Sequence, residues 1–301
     1  MRRTTRVPRP RTPTTPSPRP ELGRALAALF LALPLHGCAP SPEPIRPLLG
    51  PLVVPARGSV PAQPEPEPPP DLRAATYNIL AAKRGIDGLV DTLAAMEADV
   101  IALQEVDVNT RRFERVDLPS ELGRRLGMHH AFVRHRRYQG GEIGVALLSR
   151  TPIHNVKREA APRSGLAMLT ADVQSASGTL HVIVVHTHPT DPRDPPKRRT
   201  RLDALRLAET TAAAELASGK QRVLVMGDFN ATPKGPEYDA MESVLQDACP
   251  RGGPTWPASL PVLQLDYIWT SRDMLALDCR TPASAASDHR PRLVDLRFAE
   301  G

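Results

Sequence analysis

Between Leu72 and Phe298 short apolar runs follow one another, and nearly every run stops on a carboxylate, an amide or an imidazole. Asn78 ends the run LRAATYNIL at 72–80, and Gln104-Glu105 end the next. His186-Thr187-His188 follow LHVIVV at 180–185, while Asp228 and Asn230 follow RVLVM at 222–226. Asp266 opens DYIWT, and Ser287-Asp288-His289-Arg290-Pro291 stands before the last run at 292–298. A strand fixes its backbone while the side chains at its end face a cleft, so these ends are where ligands and reacting groups collect in α/β folds. Further strands are predicted at 99–103, 142–149, 166–173 and 265–270. Ile86, Leu89, Val90, Leu93 and Val100 keep helical spacing, and Leu202, Leu205, Ala208, Ala212 and Leu216 form a helical stripe. Hairpin-spaced strands mixed with crossover helices predict an α/β fold with two mixed sheets rather than one parallel sheet. Neither an internal repeat nor a heptad pattern is visible.

The first seventy residues are of another kind. They hold 19 of the chain's 34 prolines, nine arginines, no lysine and only four acidic residues. Such a segment builds no packed core, whereas the 231 residues behind it suffice for one sizeable domain. The formal net charge of +6 comes almost wholly from this head, so basicity says little about what the folded part binds. Seven arginines precede the apolar run ALAALFLALPL at 25–35, which leads to His36-Gly37-Cys38. That layout is an export signal, and its end resembles a bacterial lipoprotein signal whose cysteine receives lipid. The resemblance implies a signal over 1–38, anchoring of Cys38 in the cell envelope, and a stiff proline-rich linker over 39–70. An ordinary signal peptide would make the protein secreted instead. Cys249 and Cys279 could pair in an oxidising compartment or remain buried thiols; thirty positions of separation leave both open. No apolar run reaches the roughly 18–20 residues of a spanning helix, which excludes a polytopic helical membrane protein.

Chemistry follows from the residue types at the strand ends. Glu105, Asp228, Asp288, Asn78 and Asn230 form an oxygen-rich set that suits Mg²⁺, and also Mn²⁺ or Ca²⁺, better than Zn²⁺. Two histidines with acidic neighbours suit proton transfer and stabilisation of a developing negative charge. Together they are the equipment for hydrolysing a phosphate ester. No P-loop, nucleophile elbow or dinucleotide fingerprint competes with that reading.

Six motifs in order carry a resemblance: Thr76-Tyr77-Asn78-Ile79, Leu103-Gln104-Glu105-Val106, Val185-His186-Thr187-His188, Gly227-Asp228-Phe229-Asn230, Leu265-Asp266-Tyr267-Ile268 and Ser287-Asp288-His289-Arg290-Pro291. The chain resembles the endonuclease/exonuclease/phosphatase superfamily, which implies the DNase I-like four-layer α/β sandwich over 71–301. Leu148-Ser149-Arg150 matches a further strand end of that family. The resemblance implies metal binding by Asn78, Glu105 and Asp288. It implies that Asp228 and Asn230 handle the attacking water and phosphate oxygens, that His289 touches the scissile phosphate, and that Asp266 orients His289. His188 becomes the second catalytic histidine, with Glu142 as its carboxylate partner; the role of His186 stays open.

Taken singly, Asn78, Asp266 or Asp288 at a strand end is more often a turn former or cap, and Glu142 reads equally as a solvated edge residue. His129 and His130 belong to no motif and are expected at the surface. The clusters RHRR at 134–137 and KRRTR at 197–201 read as a polyanion rim or as solvated faces. With 4% aromatics there is little to stack on bases, which favours the solvated faces. A phosphodiester is the expected substrate class, nucleic acid competing with phospholipid, because the shared motifs encode chemistry rather than substrate. A monoesterase acting on sugar or inositol phosphates and a non-catalytic binding module are the alternatives. No protein partner is implied, and a monomer is expected.

Overall fold

The computed structural model describes residues 68–161 and 166–299. The expected signal at 1–38 with Cys38, and the linker up to residue 67, lie outside the described residues. Two six-stranded mixed sheets face each other. The first runs β11 (Met274–Arg280), β12 (Arg292–Phe298), β1 (Leu72–Asn78), β2 (Val100–Val108), β4 (Gly141–Ser149) and β3 (His129–Tyr138). The second runs β5 (Ile153–Ala160), β6 (Ala167–Ser175), β7 (Gly178–His186), β8 (Val223–Asp228), β10 (Asp266–Thr270) and β9 (Gln246–Asp247). Helices α1 (Ile86–Ala95) and α2 (Leu118–Leu126) cover the first sheet; α3 (Pro196–Ala217) and α4 (Pro236–Glu242) cover the second.

Strand alternation builds all four layers. Ala74, Val100, Ala102 and Leu147 point inward against Leu169, Val182, Val184, Leu224 and Ile268 of the other sheet. Their neighbours Ala75, Ile101, Leu103 and Leu148 point outward and meet Leu89, Leu93, Leu118 and Leu122 of α1 and α2. With both faces covered, central strands such as VLVMGD are buried throughout, which is why they read as continuous apolar runs. Helix α3 departs from its expected stripe. Its buried face is Glu209, Thr210, Ala213, Ala214 and Ala217, about one position round from the leucines, because alanines let the helix approach β7 and β8 closely. Leu216 and Ala212 flank that contact.

Each sheet holds one central parallel pair, β1 with β2 and β7 with β8. Parallel pairing brings carboxyl ends together, setting Asn78 opposite Gln104 and His186 opposite Asp228. Antiparallel β10 adds Asp266 opposite Asp228. Cys249 and Cys279 are joined in a disulfide, with Cα atoms 5.6 Å apart.

Candidate active site at the strand ends

Local backbone irregularities aim the side chains. Between Leu103 and Val106 the pairing of β2 with β4 slips, so that Gln104 and Glu105 together oppose Val145. Glu105 takes a left-handed φ of 55°, a conformation that costs a non-glycine residue about 1–3 kcal/mol. The bulge carries its carboxylate to the end of β1, where Asn78 Nδ2 lies 3.4 Å from Glu105 Oε1. In β8, Gly227 permits a close approach to β7: a Cβ there would lie 2.0 Å from the Val185 carbonyl oxygen.

Asp228 is the meeting point. Asn78 Nδ2 donates to its Oδ2 at 3.0 Å from the opposite sheet, and Asn230 N donates to its Oδ1 at 2.9 Å. His289 Nε2 and His186 Nε2 stand 3.7 and 3.8 Å from Oδ2. Burial raises the Asp228 pKa above the ordinary carboxylate range, and Asp266 adds to the rise, while His289, His186 and Asn78 oppose it. Asn230 is held by its own left-handed φ of 47° and by donation from Nδ2 to the Thr187 carbonyl at 3.1 Å. Thr187 Oγ1 in turn donates to the Phe229 carbonyl, lacing the loops after β7 and β8 together.

His289 and Asp266 form a buried dyad, His289 Nδ1 to Asp266 Oδ2 at 2.9 Å. Burial works against the charged imidazole, but the Asp266 and Asp228 carboxylates outweigh it and push the pKa up to about 10. The loop carrying His289 is fixed to β1 by Ser287 Oγ, which donates to the Asn78 carbonyl at 2.6 Å. A second dyad joins His188 Nδ1 to Glu209 Oε1 at 2.5 Å, and His188 N donates to Glu209 Oε2 at 2.8 Å. His188, Asn230 and His289 line one cleft.

Glu142, expected as the partner of His188, is not brought to it. Its carboxylate accepts from Arg134 Nη1 at 2.6 Å across β3 and β4, and Glu209 of α3 takes the place beside His188. Glu209 is not a member of the predicted apolar stripe but belongs to the face beside it that α3 buries, so no spacing signal marks it in the sequence. His186 borders Asp228, with His135 behind it at 6.0 Å between ring centroids. Burial, with the nearby His186, pushes the His135 pKa down to about 3, which keeps that ring neutral at pH 7. His129 and His130 are exposed, on strand β3.

The donors fit a divalent metal ion. Asp228, Asp266 and His289 bring ligand-type atoms within 4.8 Å of one another, and Asp266 Oδ1 is buried with no hydrogen-bond partner; with the proton kept on His289, the carboxylates are the ligands this group offers. Glu105 and Asp288, both half-buried, bring the local carboxylates to four against one raised imidazole. Asn78 turns its amide nitrogen toward Glu105 and Asp228 and its oxygen toward Leu80 N at 3.2 Å, so here it tethers the two carboxylates.

Two facing mixed sheets between helical layers, with acidic residues and histidines gathered at their strand ends, define a DNase I-like α/β sandwich built for metal-dependent phosphoester hydrolysis. Residues 75–289 match the family model described as "Endonuclease/Exonuclease/phosphatase family", and the chain belongs to that family. Solved structures agree in fold. An endonuclease/exonuclease/phosphatase from Beutenbergia cavernae is 20% identical over 76% of this chain and 72% of its own, with a TM-score of 0.62. The human Nocturnin catalytic domain, solved with a bound sulfate anion, is 22% identical over 77% and 96%, TM-score 0.59. The 3′ phosphatase NExo from Neisseria, solved with a product DNA hairpin, is 18% identical over 75% and 100%, TM-score 0.58. No curated protein sequence matches the chain.

Proposed function

We propose that the protein is an exported, Mg²⁺-dependent phosphodiesterase. The observation that carries this reading is the pair of histidine–carboxylate dyads, His289–Asp266 and His188–Glu209, opening on one cleft beside Asp228 and Asn230. Glu105 and Asp288 are the residues to hold the ion, and Asn78 ties Glu105 to Asp228. A hard divalent ion there supplies charge stabilisation to the phosphate oxygens. Attack on phosphorus places negative charge on the non-bridging and leaving oxygens, and His289, held protonated by Asp266 and Asp228, meets that charge without rearrangement. Asn230 has a second amide N–H beyond the one given to Thr187, available to a phosphate oxygen. Asp228, whose carboxylate is restrained on both oxygens, positions the attacking water and accepts its proton.

Export is supported by the Cys249–Cys279 disulfide, since such bonds persist in oxidising compartments, and by the leader ending at Cys38. Lipid attachment at Cys38 is the proposed anchor. Cys38→Ser then releases the protein from membrane fractions; fractionation identical to wild type removes the anchor. Hydrolysis of bis(p-nitrophenyl) phosphate with Mg²⁺ tests the chemistry. His289→Ala is expected to lower turnover by about 10²–10⁴. A folded His289→Ala protein with full turnover refutes the assignment, and cleavage confined to p-nitrophenyl phosphate makes the protein a monoesterase.

A further inference from the structure

The cleft that His188, Asn230 and His289 line extends past them as a trough, about 1170 Å³ in all, far more room than a phosphate needs. Its charges cancel. Three arginines line it against three carboxylates, each tied to a partner: Arg193 to Asp191 at 2.6 Å, Arg198 to Asp194 at 3.4 Å, and Arg206 to Glu237 at 2.8 Å. A nucleic-acid strand binds through cations that replace its counterions, and a carboxylate beside each of these arginines offsets the positive field such a strand needs. The arginine-rich stretch of β3 lies outside the trough; Arg134 is bonded to Glu142, and Arg136 stacks on Tyr138 at 4.8 Å.

The rest of the wall is mainly apolar, with Thr190 and Thr232 the hydroxyl side chains in it. Leu202 comes from α3, and Trp256, Leu263 and Leu265 from the segment before β10. Trp256 and Leu263 pair across the base of a hairpin, Trp256 N to Leu263 O and Leu263 N to Trp256 O both at 2.9 Å. The turn between them carries Leu260 and Val262, the two most exposed large apolar residues among those described, at 74% and 66%. A trough whose arginines face carboxylates and whose far wall is aliphatic and aromatic therefore runs from the two histidines to a hairpin that presents bare aliphatic side chains to the outside. Exposed aliphatic groups at the mouth of a site mark contact with an apolar surface.

We propose that this trough and hairpin take a lipid phosphodiester, the phosphate lying at His188 and His289, the first carbons of the apolar arm against Leu202, Trp256 and Leu265, and Leu260 and Val262 dipped into the lipid surface. The inference rests on the phosphodiesterase reading and names its substrate class. Water's oxygen bonds to phosphorus, the P–O bond to the apolar arm breaks, and the leaving oxygen takes a proton from an imidazole. The products are an apolar alcohol and a water-soluble phosphomonoester.

The test compares the full chain with its Leu260→Asp/Val262→Asp variant, both with Mg²⁺ and the same N-terminal segment, so that differences report the hairpin tip. Each is given vesicles of phosphatidylcholine and phosphatidylglycerol in equal parts, bis(p-nitrophenyl) phosphate, and supercoiled plasmid. Wild type releases water-soluble phosphorus from the vesicles, and the variant does so about tenfold more slowly or worse. Its rate on the soluble diester stays at the wild-type level, which also shows that it is folded. Vesicles left intact while the soluble diester is cleaved overturn the lipid assignment and spare the phosphodiesterase; plasmid nicking in that case makes nucleic acid the substrate. Equal losses on both substrates, or none on vesicles, remove the hairpin's role. Inactivity on all three overturns both readings.

Discussion

Replacing Glu209 by glutamine asks whether the His188 dyad takes part in the reaction. Glu209 is 3% exposed, and its two oxygens accept from a single residue: His188 N at 2.8 Å and His188 Nδ1 at 2.5 Å. Hydrogen bonds to a charged group contribute about 1.5–3 kcal/mol against about 0.5–1.5 for neutral pairs, so loss of the charge alone removes about 1 kcal/mol at the imidazole. Glutamine has one acceptor where two donors wait, which sets an N–H against an N–H at the other contact and adds about 1–2 kcal/mol. If most of that falls on the transition state, the sum of about 2–3 kcal/mol lowers kcat/KM about 30- to 160-fold. Rates on a soluble phosphodiester are measured well below the thermal midpoint, which itself drops because the change is buried. His188→Ala then serves as the control. A partner that acts only through His188 gives a double variant no slower than His188→Ala alone. Losses that multiply across the two positions, or an unchanged kcat/KM in Glu209→Gln, would show that the dyad is a packing contact.

The same reasoning gives a pH dependence of stability. Folding holds the His289 proton up to about pH 10, whereas an unfolded histidine releases it near 6.5. Stabilisation from this group is therefore complete below pH 6.5 and drains as pH rises toward 10, at up to about 1.4 kcal/mol per pH unit. Thermal midpoints of metal-free protein between pH 6.5 and 10 should fall accordingly, and His289→Ala should flatten the slope; equal slopes would place the titrating group elsewhere. For Glu105→Gln, midpoints measured against Mg²⁺ concentration should show at least about tenfold weaker binding, since a charged oxygen donor is lost. A Mg²⁺ response matching wild type would take Glu105 out of the metal site.

Legibility in the sequence tracked burial. Strands β1, β2, β7, β8, β10 and β12 lie inside the sheets with apolar side chains on both faces, and each stood out as an apolar run. Edge strands did not. Strand β5, IHNVKREA, exposes six of its eight residues, and β11, MLALDCR, buries only Met274, so neither carries a pattern that separates it from loop. The candidate residues at the strand ends were visible as a set, six motifs in order, although each polar group alone reads as a turn former or cap. Glu209 was hidden: it sits within a helix among alanines, where one carboxylate reads as surface until the helix is docked and that face is found to be the inner one. Glu142 misled because a strand-end carboxylate and a sheet-edge ion pair look alike before pairing is known.

Asp228 explains why this site needs the whole sandwich rather than one sheet. One of its oxygens is held by Asn230 from its own sheet, the other by Asn78 from the facing sheet. The loop bearing His289 is likewise anchored to β1, while its orienter Asp266 belongs to the second sheet. The spacing between the two groups of residues is therefore set by the side chains packed between the sheets, with Ala102 and Val184 among them. Interiors packed at crystal-like density transmit a missing or added methylene as backbone displacement. A shift of about 1 Å in reacting groups is enough to cost about 10² in rate. Inter-sheet core residues with no contact to substrate thus control the geometry of catalysis.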